Sequence, residues 1–281
     1  MLQRNEFPEG ILVETTLRCP ADCIFCPNKK INTRPKDMAW ELFKKIVDEC
    51  QGKGLKEFYP FINGEPLACP YFEEALEYVS RVLPDTAILV YTNGALLDEK
   101  KSTVLLNNNV REIHFSVDGV SKSVYEEHRR GLIYEQVITN ILQFLMRLEK
   151  HTENVTTRVV MTLTPENEPE EDAFRRFWGD IVDIVEVIPC DGRGGEGRSP
   201  VFMDNRTLGC FYVNSRAYIL TDGSVVPCCK DWAGYTILGN LIHDSLDDIW
   251  TSKIYDRLRA DLSKGIFRNF EVCHRCVEDR L

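Results

Sequence analysis

Cys19, Cys23 and Cys26 fall within eight positions, in the stretch CPADCIFCPNK, with the spacing C-x3-C-x2-C. Three thiolates on one short loop can take three corners of an iron–sulfur cluster and leave a fourth corner open. Structural zinc wants four closed protein ligands, usually from CxxC pairs drawn from two places, and fits this loop less well. A second set, Cys210, Cys228, Cys273 and Cys276, runs C-x12-G-x4-C and later C-x2-C. Four thiolates from before a hairpin, after it and from a terminal loop can close around one metal site. By spacing alone, zinc and an iron–sulfur cluster both suit them.

The chain that must position these residues has 281 residues, with 44 acidic against 34 basic and a net charge of −10. No long basic tract occurs, which argues against nucleic acid as the main partner. No signal-peptide pattern and no run of about 18 apolar residues is found, so no membrane association is expected and the cytoplasm is the expected compartment. In a reducing compartment, eleven cysteines read as metal ligands or reactive thiols rather than as disulfides.

Apolar runs alternate with helical patterns: ILVE then WELFKKIVDEC, FYPFI then YFEEALEYVSRVL, AILVYTNG then EKKSTVLLNN, EIHFSVDG then YEQVITNILQFLMRLEK, TTRVVMTLT then PEEDAFRRFW, and IVDIVEVIP before a glycine-rich loop. Six β/α units argue for parallel strands, in a doubly wound sheet or an incomplete barrel. Either way ligands collect at the carboxyl ends of the strands. Beyond residue 200 the pattern changes to a hairpin turning at Asp222-Gly223, one amphipathic helix over SLDDIWTSKIYDRLRADLSKG, and the segment bearing CHRC.

C-x3-C-x2-C after the first strand of a β/α series, with Phe25 just before the third cysteine, resembles the radical S-adenosylmethionine enzymes. NGEP after the second strand is similar to the family's glycine-glycine-glutamate segment, with Asn63 in place of the first glycine, then Gly64 and Glu65. The resemblance implies that Glu65 meets the cofactor's ammonium, as a carboxylate can. It implies that Thr92, Asn93, Ser116 and Asp118 face its ribose or carboxylate, and that Arg129 reaches the carboxylate. It further implies a [4Fe-4S] cluster on Cys19, Cys23 and Cys26, and a radical that takes a hydrogen atom from an unactivated C–H bond.

The second set resembles the SPASM/twitch extension of that family, in which such cysteines hold an auxiliary [4Fe-4S] cluster. Ending five residues after Cys276, the chain reads as the shorter, one-cluster twitch form. Size and spacings are similar to the family's twitch-bearing aminocyclitol dehydrogenases and sugar or aminoglycoside epimerases, with roles in antibiotic biosynthesis. The expected fold is therefore α/β, a partial (β/α)6 TIM barrel over 8–200 and a small α+β twitch domain over 206–281.

The expected partners are a sugar, aminocyclitol or aminoglycoside-type small molecule and a one-electron donor such as flavodoxin or ferredoxin. A short N-terminus favours a free small molecule over a peptide, and Arg193, Glu196 and Arg198 are candidates to bind its polar groups. Cys229, beside a cluster ligand, could return a hydrogen atom to the substrate radical and invert a stereocentre. Epimerisation of this kind is favoured over alcohol dehydrogenation, for which Lys230, Asp231 or His114 could serve as base. Cys50 and Cys69 read as buried packing, and Cys190 as mouth lining or an apolar filler.

Overall fold

The computed structural model describes residues 5–151, 155–190 and 210–278. Arg193, Glu196, Arg198 and the expected boundary between 200 and 206 lie outside the described residues. Strands β1 (Gly10–Val13), β2 (Glu57–Tyr59), β3 (Ala87–Thr92), β4 (Val110–Ser116), β5 (Thr156–Leu163) and β6 (Ile184–Pro189) are joined by crossovers. The crossover helices are α1 (Trp40–Glu49), α2 (Phe72–Val82), α3 (Glu99–Asn107), α4 (Lys122–His128), α5 (Tyr134–Leu148) and α6 (Glu171–Trp178).

The six strands lie side by side in chain order and all pair in parallel. A doubly wound sheet would reverse direction at a switch point; sequential order instead keeps every crossover on one face, which gives the partial barrel. The alternation along each strand agrees. Ile11, Val13, Phe58, Ile88, Val90, Ile113, Phe115, Val159 and Met161 pack with the helices in the main core. Their neighbours Leu12, Tyr59, Leu89 and Tyr91 point to the opposite, lumen face. No helix among the described residues is long and apolar enough to cross a membrane.

The C-terminal region begins with α7 (Phe211–Ser215) and adds β7 (Arg216–Ile219), β8 (Ser224–Val226), β9 (Gly239–Asn240), α8 (Leu246–Trp250), α9 (Lys253–Ser263) and α10 (Glu271–Glu278). The hairpin turns where expected, with Gly223 at φ +82°, a conformation that costs glycine nothing. Two expectations are corrected. The single helix expected after residue 245 is broken at Thr251-Ser252, because the Ser252 hydroxyl accepts from the Tyr255 N–H and starts a second helix. The cysteines of CHRC lie on α10 rather than on a loop, which places them three residues apart on one helix face.

β7 pairs in parallel with β1, Gly10 opposite Arg216 through Val13 opposite Ile219, so one nine-stranded sheet runs from β6 to β9. At this junction the fully buried Glu14 accepts two hydrogen bonds from Arg34, Nε to Oε2 at 2.8 Å and Nη2 to Oε1 at 3.0 Å. It also accepts from Asn63 Nδ2 at 2.6 Å and from the Thr221 N–H at 3.2 Å. Removing one member of a buried ion pair leaves the other uncompensated, at about 3–5 kcal/mol. Glu14→Ala should therefore lower the urea midpoint of the anaerobic protein markedly, whereas Glu41→Ala, at an exposed surface pair with Lys44, should move it by less than about 1 kcal/mol.

Candidate active site

The loop of Cys19, Cys23 and Cys26 runs between β1 and a short helical turn, Asn28–Lys30, and is pinned from both sides. Asn28 Nδ2 donates to Leu17 O at 3.0 Å, and the Asp22 and Ile24 N–H groups donate to Arg130 O and His128 O at the end of α4. Gly131, at φ +86°, brings its backbone so close that a Cβ would stand 2.9 Å from Pro20 O. All three cysteines are half-buried. Burial pushes the Cys19 thiol up to about 12, with Glu65 adding to it, and the Cys23 thiol up to about 11 against a lowering by Arg129. These thiols therefore keep their protons until a metal displaces them.

The segment after β2 presses against this loop. A Cβ on Gly64 would stand 2.0 Å from Thr16 O, so only glycine fits. Glu65 is buried, and its carboxylate accepts from Thr92 Oγ1 at 2.6 Å, the Asn93 N–H at 2.8 Å and the Leu67 N–H at 3.2 Å. Four lone-pair sites are available, so one acceptor position is left among the described residues. Burial raises its pKa against those three donors. Asn93 Nδ2 lies 3.6 Å from Cys19 Sγ, which ties the end of β3 to the cysteine loop. Asn63 is buried, with Nδ2 held by Glu14 and Oδ1 without a partner among the described residues.

Arg129 follows α4 and is buried, not on a solvated helix face. Its Nε stands 2.8 Å from Asp118 Oδ2, its Nη1 lies 3.8 Å from Cys23 Sγ, and its guanidinium lies 5.9 Å from the Phe25 ring. Asp118 is fully buried and also accepts from the Thr162 N–H at 2.7 Å, so its carboxylate aims Arg129. Ser116 is half-buried at the end of β4. Cys50, Cys69 and Cys190 are buried.

The second set also comes together. Burial raises the thiols of Cys210, Cys228 and Cys273, the last to about 12. Thiolate repulsion adds to this, from Cys276 on Cys210, from Cys229, Cys210 and Cys273 on Cys228, and from Cys210 and Cys276 on Cys273. Among the described residues no three His, Cys, Asp or Glu side chains are drawn in around a single metal ion. Cys228 and Cys229 pack against the lumen cluster of Leu12, Tyr59, Leu89, Tyr218 and Val226. Asp231, considered as a base, is buried and accepts from the Tyr235 and Thr236 N–H groups of its own turn. His114 lies on the lumen face, stacked on Tyr91 at 3.7 Å.

Residues 13–177 match the Radical SAM superfamily. The chain belongs to that superfamily. Residues 210–277 match SPASM, an iron-sulfur cluster-binding domain. The protein uses S-adenosylmethionine and two [4Fe-4S] clusters, and the pinned three-cysteine loop, the glycine cradle and the remaining acceptor on Glu65 fit those groups. Over 95% of its length, and 91% of the relative's, it is 21% identical to the S-adenosyl-L-methionine-dependent 2-deoxy-scyllo-inosamine dehydrogenase of Niallia circulans. It superposes on BtrN in complex with AdoMet and 2-DOIA with a TM-score of 0.66 at 18% identity, covering 95% and 92% of the two chains. Streptococcus suis SuiB bound to its precursor peptide SuiA gives a TM-score of 0.72 at 15% identity, covering 92% and 67%. At these identities the two structures show the fold alone.

Two groups of residues escaped the sequence reading. Glu14 and Arg34 carried no motif. Glu112, Arg158 and Glu186 did leave a signal, since each is a charge within a segment whose alternation marks it as a strand. Anaerobic reconstitution should give about eight irons per chain, as two four-iron clusters require, and each of Cys19→Ser and Cys228→Ser should lower that to about four. Burial holds the His114 pKa down at about 4, below its unfolded value near 6.5. The unfolded chain then binds the extra proton between those values, so stability should fall as pH drops from about 6.5 to 4. His114→Gln should flatten that part of a denaturation–pH profile.

Proposed function

We propose that this superfamily member oxidises a secondary alcohol of a small polyhydroxylated molecule such as a sugar, aminocyclitol or aminoglycoside, held in the barrel lumen. The observation that carries this reading is the placement of Cys228 against the lumen-facing cluster. A substrate at that wall would stand beside the auxiliary site, and a relative covered over nine-tenths of its length is named as a dehydrogenase of an aminocyclitol.

In this reading Cys19, Cys23 and Cys26 hold one cluster, and Cys210, Cys228, Cys273 and Cys276 the other. When bound, S-adenosylmethionine at the first cluster would supply the hydrogen-abstracting radical, and the second cluster would offer an acceptor for one electron. Asn63, Gly64 and Glu65 take the cofactor's ammonium, and Arg129, aimed by Asp118, takes its carboxylate. Phe25, Thr92, Asn93 and Ser116 complete the wall around it. Oxidation of the carbinol removes one hydrogen atom from carbon, one proton from oxygen and one electron, leaving a carbonyl. A one-electron donor such as flavodoxin or ferredoxin would supply the reducing electron.

Epimerisation is the second reading, because Cys229 packs against the same lumen cluster as Cys228. In it the thiol gives a hydrogen atom to the substrate carbon radical, and the cysteine must then be re-reduced. Turnover of the reduced, reconstituted enzyme in deuterated water separates the two. The expected product is two mass units lighter and forms with one equivalent of 5'-deoxyadenosine. A product that gains one deuterium at carbon, with the gain abolished in Cys229→Ala, would overturn oxidation in favour of epimerisation.

A further inference from the structure

The lumen face of β4, β5 and β6 carries a chain of charges that neither cluster nor cofactor explains. Arg158 donates from Nε to Glu112 Oε1 at 3.0 Å and from Nη1 to Glu186 Oε2 at 3.1 Å. His114 Nε2 stands 2.7 Å from the same Glu112 oxygen. The three charged side chains keep 22% (Glu112), 22% (Arg158) and 41% (Glu186) of their surface accessible, so they line open space rather than core. Among the described residues Glu112 is engaged through Oε1 and Glu186 through Oε2, which leaves Glu112 Oε2 and Glu186 Oε1 as acceptors. His114 is only 4% exposed, and its Nδ1 has no hydrogen-bond partner among the described residues, so a buried polar group beside the wall is left unsatisfied by the protein.

Among the described residues the charges on this face do not balance. Glu57 is paired with Arg216 at 2.9 Å and Glu14 with Arg34 at 2.8 Å, and each pair cancels. Among the described residues, Glu112 and Glu186 against the Arg158 guanidinium leave one negative charge, and burial keeps His114 neutral. A carboxylate facing a confined, partly dehydrated space favours a cationic partner more strongly than it would in water. Its oxygens also accept from hydroxyl groups, as polyol binding needs.

We infer that the Glu112–Arg158–Glu186 wall selects a substrate carrying one ammonium group alongside its hydroxyls. The inference rests on the small-polyol reading above and names the charge of that substrate. One carboxylate takes the ammonium, the other takes hydroxyl protons, and the guanidinium spaces the two.

The test uses the full-length, reconstituted enzyme with S-adenosylmethionine and no reductant, so that binding is read without turnover. Calorimetric titration compares three cyclitols of matched shape: scyllo-inositol, scyllo-inosamine and an inositol monophosphate. The amine is expected to bind at least about tenfold tighter than the neutral polyol, a difference of about 1.4 kcal/mol, and the phosphate weakest. Glu186→Gln, isosteric and on an edge strand, should reduce the amine-to-neutral ratio to within about threefold, and Glu112→Gln should do the same. Unchanged iron content would show that either variant has folded. Equal binding of amine and neutral polyol, preference for the phosphate, no binding by any of the three, or an unchanged ratio in both folded variants would overturn the inference. Amine-selective binding without a product two mass units lighter would sink the oxidation reading and keep this one.

Discussion

The buried Glu14–Arg34 pair is the constraint around which the site is arranged. A carboxylate at the end of β1, out of water, must find a cation and further donors. Its donors come from three separate places: Arg34 beyond the cysteine loop, Asn63 beside the glycine cradle, and Thr221 in the hairpin of the C-terminal region. One side chain thus fixes the mutual position of the first cysteine set, the cofactor turn and the region bearing the second set. Thr221 strengthens the link, since its hydroxyl donates to Pro35 O at 2.7 Å.

Around that anchor the chemistry is divided by face and by height. The helix-facing side of the barrel strands is mainly apolar core, and the lumen side changes from charged residues near the strand starts to cofactor-turn residues at the strand ends. Glu65 and Asp118 serve the same purpose in different ways. Each is a buried carboxylate held mainly by backbone and neighbouring donors, Glu65 joining the ends of β2 and β3 and Asp118 joining the β4 end to β5 and Arg129. Their hydrogen bonds stiffen the mouth of the barrel before any ligand arrives.

Much of this was legible in the sequence because it depends on local pattern. Apolar alternation marked the strands, and the cysteine spacings marked both ligand sets. Gly64 was readable as a motif, although its physical reason, the carbonyl of Thr16 two ångströms from where a Cβ would sit, is a contact between distant segments. The helix break at Ser252 was readable in principle, since a serine followed by an apolar run is a capping signal. The burial of Arg129 was not readable, because it comes from Asp118 and Cys23, neither of them on its helix. The Glu14 contacts were not readable, because they join residues far apart in the chain and no periodicity records them.

The pairing of β1 with β7 also has a consequence for how the chain is made. β1 leaves the ribosome well before the partner on one of its edges, Arg216–Ile219. At about 5–20 residues per second, Gly10 waits on the order of ten to forty seconds for Arg216 to be synthesised. Until then Glu14 lacks Thr221 and one edge of the strand is unpaired, a template for unwanted association. The nascent protein therefore depends on late closure of its first strand, and conditions that slow translation of the middle of the chain prolong the interval in which that edge is exposed.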